Sequence, residues 1–88
     1  MSYYVYLIAT IINNKIISYA GYTNNLSKRV NLHNSSKGAK FTRGKKWVVI
    51  YSKKYKTKKS AMKNEYKLKE DLKFKKYLKK KYAYKFKV

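Results

Sequence analysis

The sequence predicts a single small α+β domain, and three patterns support this class. An alternating apolar segment near the N-terminus is followed by an Asn-Asn pair and a second β-forming segment, which predicts a β-hairpin. A run rich in β-branched residues lies near the middle of the chain, and apolar residues with helical spacing lie on either side of it. Eighty-eight residues provide one domain, and a chain of this length buries only about 60 to 65% of its surface on folding. We therefore expect a thin core.

The predicted hairpin comprises residues 3 to 9 and 16 to 22. In the first strand, Tyr4, Tyr6 and Ile8 share one face, and Tyr3, Val5, Leu7 and Ala9 share the other. Both faces are apolar, which indicates a strand covered on both sides. Asn13 and Asn14 mark the turn, and Gly21 near the end of the second strand allows close approach of another backbone or a ligand.

The next segment predicts a helix and a basic loop. Asn24 or Asn25 can cap a helix that runs to about Asn34, with Leu26, Val30 and His33 on one side and Arg29 beside that stripe. Residues 35 to 46 hold two glycines and five basic residues. This composition predicts a flexible cationic loop that contacts phosphate, rather than a core element.

The second half of the chain predicts one more strand and two helices. Residues 47 to 51 are apolar and β-branched, which predicts a third strand at the centre of the sheet. Thr57 can cap the following helix, in which Ala61, Glu65, Leu68 and Leu72 fall on one narrow stripe that faces the core. Alternating lysine and aromatic residues then predict a last short helix. We expect the domain to span residues 1–80 and a frayed basic tail to span residues 81–88.

The composition indicates a polyanionic partner. Twenty-four Lys and Arg residues against three acidic ones give a net charge of +21, so nucleic acid is the expected partner and its binding should depend on salt. Lysine abundance can also reflect compositional drift, whereas the only two arginines, Arg29 and Arg43, offer planar forks suited to phosphate.

Other features bound the compartment. The chain has no cysteine, which excludes disulfides, thiolate zinc sites and a cysteine nucleophile and fits the reducing cytoplasm, including the nucleoid. The first apolar run is too short to span a membrane and lacks the features of a signal peptide.

One carboxylate, Glu65, is a candidate for chemistry. The other two acids, Glu70 and Asp71, point away from the apolar stripe and are expected on the surface. A carboxylate inside that stripe needs a cation, either a salt bridge from Arg29 or a lysine, or a metal ion, and helix geometry leaves both open. Magnesium is commonly held by one or two carboxylates plus water and substrate phosphates, so a single acid suffices.

Taken in order, these residues resemble the motifs of the GIY-YIG nuclease family. The matching positions are Tyr4-Val5-Tyr6, Tyr19-Ala20-Gly21, Thr23, Leu26, Arg29, His33-Asn34 and Glu65. The segment from Lys37 to Arg43 (KGAKFTR) is similar to that of small stand-alone bacterial-type members, which are excision-nuclease-like. The resemblance extends from Tyr3 to about Leu78. Two departures are Ala20, where a larger apolar residue is usual, and the lack of an asparagine after Asn64.

The resemblance implies a fold, a reaction and a role for each residue. The fold is a small three-stranded antiparallel sheet flanked by helices, and the reaction is metal-dependent phosphodiester hydrolysis. Tyr6 is the implied general base, Tyr19 orients water or phosphate, Arg29 stabilises charge on the phosphate, Glu65 holds Mg²⁺ or Mn²⁺, and His33 lies near the attacking water. Tyr4 is an alternative to Tyr6 whose spacing fits less well, and the proton acceptor is left open.

Three functions follow from these features. The leading hypothesis is a DNA endonuclease or nickase in repair or recombination, with RNA as another substrate and an unidentified protein as recruiter. The expected nucleic-acid contacts are Lys37, Lys40, Thr42, Arg43, Lys45 and Lys46. The alternative is a non-catalytic nucleic-acid-binding module of the same fold, in which lysines follow the backbone and exposed aromatic rings stack on unpaired bases. A basic accessory protein of a ribonucleoprotein particle rests on charge and size alone.

Overall fold

The chain begins with a β-hairpin, as predicted. In the computed structural model, which describes residues 2–38 and 40–86, β1 (Tyr3–Ile12) pairs antiparallel with β2 (Lys15–Thr23). Asn13 and Asn14 connect them and have φ angles of 51° and 63°. Positive φ at both central residues is the requirement of a type I′ turn, and asparagine tolerates it better than most residues. Ala39 of the KGAKFTR motif and residues 87 and 88 of the predicted tail lie outside the described residues.

The sheet is three-stranded and antiparallel, with β1 at its centre. The strand order is β2-β1-β3, where β3 is Val48–Tyr55, and the β1–β3 ladder shifts register between Leu7 and Ile8. Side chains 5 to 10 of β1 are all buried, whereas residues 52 to 54 of β3 are exposed. The prediction that the third strand is central was therefore wrong. The strand whose two faces are both apolar takes the centre, because only there can both faces be covered.

Helices cover both faces of this sheet. On one face, α1 (Leu26–Asn34) packs Leu26 and Val30 against Tyr6, Ile8 and Trp47. On the other face lie α2 (Lys58–Glu70) and α3 (Leu72–Lys81). The buried residues there are Val5, Leu7, Ala9, Ala20, Ile50, Ala61, Leu68 and Leu78. Within residues 2–38 and 40–86, no helix combines the length and apolar character that crossing a bilayer requires.

The predicted helix caps at Asn25 and Thr57 are present. The Asn25 side chain accepts the backbone N–H of Lys28 at 3.1 Å, and the Thr57 hydroxyl accepts that of Ser60 at 3.1 Å. Each satisfies an N–H group that the first turn of a helix leaves without a backbone acceptor.

The predicted stripe on α2 ends one turn early. Ala61 and Leu68 are buried, but Leu72 is 72% exposed and begins α3. Asp71 ends α2 and its Oδ1 accepts the backbone N–H of Phe74 at 3.0 Å, which starts the next helix in a new direction. Asp71 is thus an exposed helix cap, a role that the helical projection missed.

The segment after α3 forms a short helix as far as the structure describes it. Ala83–Phe86 form a 3₁₀ helix, and Tyr82 packs against the core beyond Leu78. Leu78 and Tyr82 lie four residues apart at the end of α3, so the apolar face of that helix continues into the segment.

We predict that Asp71→Ala lowers the free energy of unfolding by about 1 kcal/mol, because the first turn of α3 loses its cap. The matched control is Glu70→Ala, which removes the same charge from the neighbouring exposed position and should change stability by less than about 0.5 kcal/mol. Urea unfolding measures both. Equal losses in the two variants would mean that charge, rather than capping, is responsible.

Candidate active site

A buried chain of hydrogen bonds links the central strand to the segment after α1. Tyr6 Oη lies 2.8 Å from His33 Nε2, and His33 Nδ1 lies 2.8 Å from Thr42 Oγ1. Relative exposures are 1% for Tyr6 and 0% for His33 and Thr42. A neutral imidazole donates from one nitrogen and accepts at the other, so with the proton on Nδ1 the ring donates to Thr42 and accepts from the Tyr6 hydroxyl.

Two glycines provide the space for this chain. A Cβ at Gly21 would lie 2.6 Å from Tyr6 Cζ and nearer still to its hydroxyl. A Cβ at Gly38 would lie 3.0 Å from both Cγ and Cε1 of the His33 ring. Any larger residue at either position would displace a buried ring. The glycine of the second motif therefore serves the tyrosine of the first.

Asn34 and Trp47 hold Thr42, the last residue of this hydrogen-bond network, in position. The Asn34 Oδ1 accepts the Trp47 backbone N–H at 2.5 Å, and its Nδ2 donates to the Trp47 carbonyl at 3.2 Å. The Trp47 indole N–H in turn donates to the Thr42 carbonyl at 2.9 Å. These contacts tie the end of α1 to the start of β3. Beyond the His33-Asn34 pair of the motif, no pattern in the sequence indicates these contacts.

Tyr19 and Arg29 complete one side of the site. The Tyr19 ring, from the edge strand β2, packs edge-on against His33 with ring centroids 5.3 Å apart. Arg29 on α1 is half-buried, and its guanidinium lies near enough to Tyr6 to favour ionisation of the phenol. Tyr4, the alternative to Tyr6, lines a separate surface cleft with Asn24 and Leu26. The hydrogen bond to His33 belongs to Tyr6.

Burial controls the protonation of the two central groups. Desolvation raises the pKa of Tyr6 above its ordinary 10.0, and the hydrogen bond and charge of Arg29 oppose this rise only in part. Desolvation, with a further contribution from Arg29, lowers the pKa of His33 below its ordinary 6.5. At neutral pH the site therefore holds a phenol hydrogen-bonded to a neutral imidazole.

Glu65 lies on α2, which covers the other face of the sheet from the Tyr6–His33 pair. Its side chain is 18% exposed, and its Oε1 lies 3.3 Å from the Nζ of Lys69, one turn along the helix. Its negative charge contributes to the raised pKa of Tyr6. The expected cationic partner is thus a lysine that is 51% exposed, rather than Arg29. A lysine and a glutamate four residues apart on a helix typically contribute only about 0.3 to 0.5 kcal/mol, so a metal ion could displace Lys69 from Glu65.

The donor set for a metal ion is sparse. Within the described parts of the chain, no three His, Asp or Glu side chains converge. A lone half-buried carboxylate does not suit zinc, which needs three or four protein ligands, but it suits Mg²⁺, which retains several waters and binds substrate phosphates. Glu65 fits that second pattern.

Most of the predicted nucleic-acid contacts lie at the surface. Lys37, Lys40, Arg43 and Lys46 are exposed and Lys45 is half-buried, all within the segment after α1. The prediction that Thr42 contacts nucleic acid was wrong, because its side chain is fully buried against His33 and cannot reach a phosphate. The 3₁₀ turn Lys40–Thr42 points this one polar side chain inward, so the segment is partly a core element. The amino-acid composition of a segment cannot predict which residue of so short a turn is buried.

Comparisons with known proteins identify the family of this chain. The sequence model of the family described as the GIY-YIG catalytic domain matches residues 2–82. A UPF0213 protein of Oceanobacillus iheyensis is 48% identical over 59 residues, which cover 66% of this chain and 69% of that protein. A UPF0213 protein of Bacillus pumilus is 52% identical over 52 residues, covering 58% and 53%.

The third relative is the UPF0213 protein YazA of Bacillus subtilis, 51% identical over 49 residues that cover 54% of this chain and 50% of YazA. The matches to the second and third relatives therefore span about half of those proteins' length. No solved structure matches the chain.

We predict that the imidazole of His33, the single histidine of the chain, titrates below pH 6.5. Because its folded pKa is lowered, the unfolded chain binds more protons below about pH 7. Protonation of His33 therefore favours unfolding, so the free energy of unfolding is highest above the ordinary pKa of the imidazole and decreases as the pH falls below 6.5. NMR titration of the imidazole and urea unfolding at several pH values measure the two effects. A pKa of 6.5 or higher, or a protein that becomes more stable on acidification, would contradict the buried network.

Proposed function

The chain belongs to the GIY-YIG catalytic domain family, and from that premise we propose that it is a metal-dependent endonuclease or nickase that hydrolyses phosphodiester bonds in DNA. The observation that supports the proposal most directly is the Tyr6–His33 hydrogen bond, which lies beside Arg29 and Tyr19 in the family's motif positions. Repair or recombination of DNA in the cytoplasm is the corresponding cellular role.

Proton removal from the attacking water is assigned to Tyr6 with His33. Because the pKa of Tyr6 is raised, free phenolate is scarce at neutral pH, so the phenol must release its own proton as it takes one from water. His33 Nε2 lies 2.8 Å from Tyr6 Oη and is placed to accept that proton. The Thr42 hydroxyl holds Nδ1 and so fixes the orientation of the ring. His33 is therefore our proposal for the proton acceptor, which the sequence left open.

Stabilisation of the negative charge on the phosphate is assigned to Arg29 and to a metal ion held by Glu65. The Arg29 guanidinium has forked donors that match two phosphate oxygens and stabilise negative charge as it develops. Glu65 would hold Mg²⁺ or Mn²⁺, an ion that supplies Lewis-acid stabilisation of the same phosphate when it is bound. Tyr19, packed on His33, orients the water or the phosphate beside them.

Binding of the substrate relies on the backbone charge of nucleic acid. The exposed basic residues after α1 and the net charge of +21 attract phosphates without reading base sequence. This pattern favours a site that recognises the shape of its substrate. RNA would satisfy the same contacts, and recruitment to a target would then fall to another protein.

A second candidate function is a non-catalytic nucleic-acid-binding module. The observation that favours it is the Glu65–Lys69 ion pair, which already satisfies the candidate metal ligand within the protein. This function predicts salt-dependent binding and no cleavage with either metal.

We predict that Glu65→Gln reduces metal-dependent cleavage on the order of 100-fold, since the variant loses the charge that holds the ion. Branched, single-stranded and duplex DNA are incubated with Mg²⁺ or Mn²⁺, and binding is measured separately in EDTA, where we expect a change of less than about twofold. The matched control Glu70→Gln should cleave like the wild type. Cleavage that survives Glu65→Gln would refute the assignment, and a wild type that binds but never cleaves would favour the second candidate.

We predict that Lys69→Gln lowers the Mg²⁺ concentration for half-maximal cleavage by about twofold, because the ammonium group no longer competes with the ion for Glu65. Lys67→Gln changes the charge equally at another exposed position of α2 and is the control. A metal requirement that is the same in Lys69→Gln and Lys67→Gln would show that the ion pair does not compete with the metal.

A further inference from the structure

A cavity of about 340 Å³ opens at the edge of the sheet beside the site. It is lined by Leu7, Ser18, Tyr19, Ala20, Phe41, Lys69 and Lys75. Two of these residues connect it directly to the proposed chemistry, because Tyr19 packs on His33 and Lys69 pairs with Glu65. A molecule in this cavity would therefore lie next to the catalytic groups.

Phe41 presents a large apolar ring to solvent in this cavity. It is 52% exposed, yet its orientation is fixed by neighbours. Its ring lies nearly parallel to that of Tyr19, with 20° between the planes and 6.1 Å between the centroids. The Trp47 ring also packs near it, with 6.2 Å between the centroids. Lys45 Nζ lies 5.6 Å from the ring centroid and donates to the Phe41 carbonyl at 3.1 Å. These neighbours hold the exposed Phe41 ring in one orientation.

The charges around the cavity fit a nucleotide. Lys69 and Lys75 line it, and Lys75 Nζ is held in place by a hydrogen bond of 2.8 Å to the Lys69 carbonyl. Among the described residues of the lining, none is acidic. An apolar aromatic wall bordered by ammonium groups is complementary to a flat base joined to a phosphate. The volume lies at the lower end of the range for small-ligand sites, about 300 to 1,000 Å³, so it suits one base rather than a duplex.

We propose that Phe41 and Tyr19 form a stacking site for an unpaired nucleobase, so that the protein selects nucleic acid with an unpaired nucleotide beside the phosphate to be cut. Bases inside a duplex have both faces covered by their neighbours and cannot stack on Phe41. The selectivity for cleavage rests on the proposed function, whereas the stacking site itself is a property of binding. Phe41 is accordingly a specificity-determining residue.

The test compares three labelled ligands of equal length in EDTA, so that no cleavage occurs. These ligands are a single-stranded oligodeoxynucleotide, the same strand with abasic sites, and a duplex. The wild type should bind the strand with bases about fivefold or more tightly than the abasic strand, because base–aromatic stacking of one base contributes at least this factor. Equal affinity for the two strands would overturn the proposal without any variant.

Variants then locate the stacking site. Phe41→Leu keeps an apolar side chain without a ring and should weaken binding of the base-containing strand about fivefold, with less than about a twofold change for the abasic strand and the duplex. Phe41→Tyr keeps the ring and should bind like the wild type. Tyr84→Leu removes an equally prominent ring, 71% exposed, from the C-terminal 3₁₀ helix and should have no effect. The slope of log K against log salt should be the same in all variants, because no phosphate contact changes.

The outcomes separate this inference from the proposed function. If the wild type prefers unpaired bases through Phe41 but never cleaves, the proposed function fails and the stacking site stands. If it cleaves and Phe41→Leu binds all three ligands like the wild type, or weakens all three equally, the stacking site fails and the nuclease stands.

Discussion

The hydrogen bond between Tyr6 and His33 is the contact on which the arrangement of this small domain depends. Tyr6 lies in the central strand, where a hydroxyl without a partner would destabilise the fold by about 1 to 3 kcal/mol. His33 of α1 supplies that partner, and its other ring nitrogen then needs Thr42. Thr42 can reach it only because the chain turns inward over Lys40–Thr42. In the described residues, every buried side-chain nitrogen and oxygen has a hydrogen-bond partner.

The same burial that secures this network constrains its chemistry. Removing the two rings from water keeps the phenol protonated and lowers the pKa of the imidazole, so Tyr6 is not itself a base and His33 is a weaker base than a free imidazole. The positive charge of Arg29 favours the phenolate but disfavours a protonated His33. In the proposed reaction, a bound phosphate would offset the charge of Arg29 and thereby make the imidazole a better acceptor. Substrate binding would then switch on proton transfer.

Several elements could be predicted from the sequence because their signals are local. The Asn13-Asn14 turn, the caps at Asn25 and Thr57, and the alternation in β1 each depend on residues within a few positions of one another. The errors concern long-range packing. The order of the strands depends on which faces the helices cover, and the end of α2 depends on Asp71 capping the next helix.

In the candidate site, too, the sequence predicted which residues take part but not how they pack together. Ordered spacings suggested Tyr6, Tyr19, Arg29, His33 and Glu65, but they could not distinguish a metal ligand from an ion pair at Glu65. They also placed Thr42 at the surface, since a threonine between lysines resembles a loop residue until the His33 ring is located in space. Close contacts of this kind, such as the need for a glycine at position 21 beside the Tyr6 ring, require coordinates.

If the Tyr6 hydroxyl carries out proton transfer with His33, the variant Tyr6→Phe should lose cleavage and keep binding. This variant keeps the buried ring and removes only one oxygen. Single-turnover cleavage of a DNA substrate at saturating Mg²⁺ or Mn²⁺ is compared with binding of the same DNA in EDTA. We expect a loss of cleavage on the order of 100-fold or more, while binding changes by less than about twofold. Cleavage by Tyr6→Phe at the wild-type rate would contradict it.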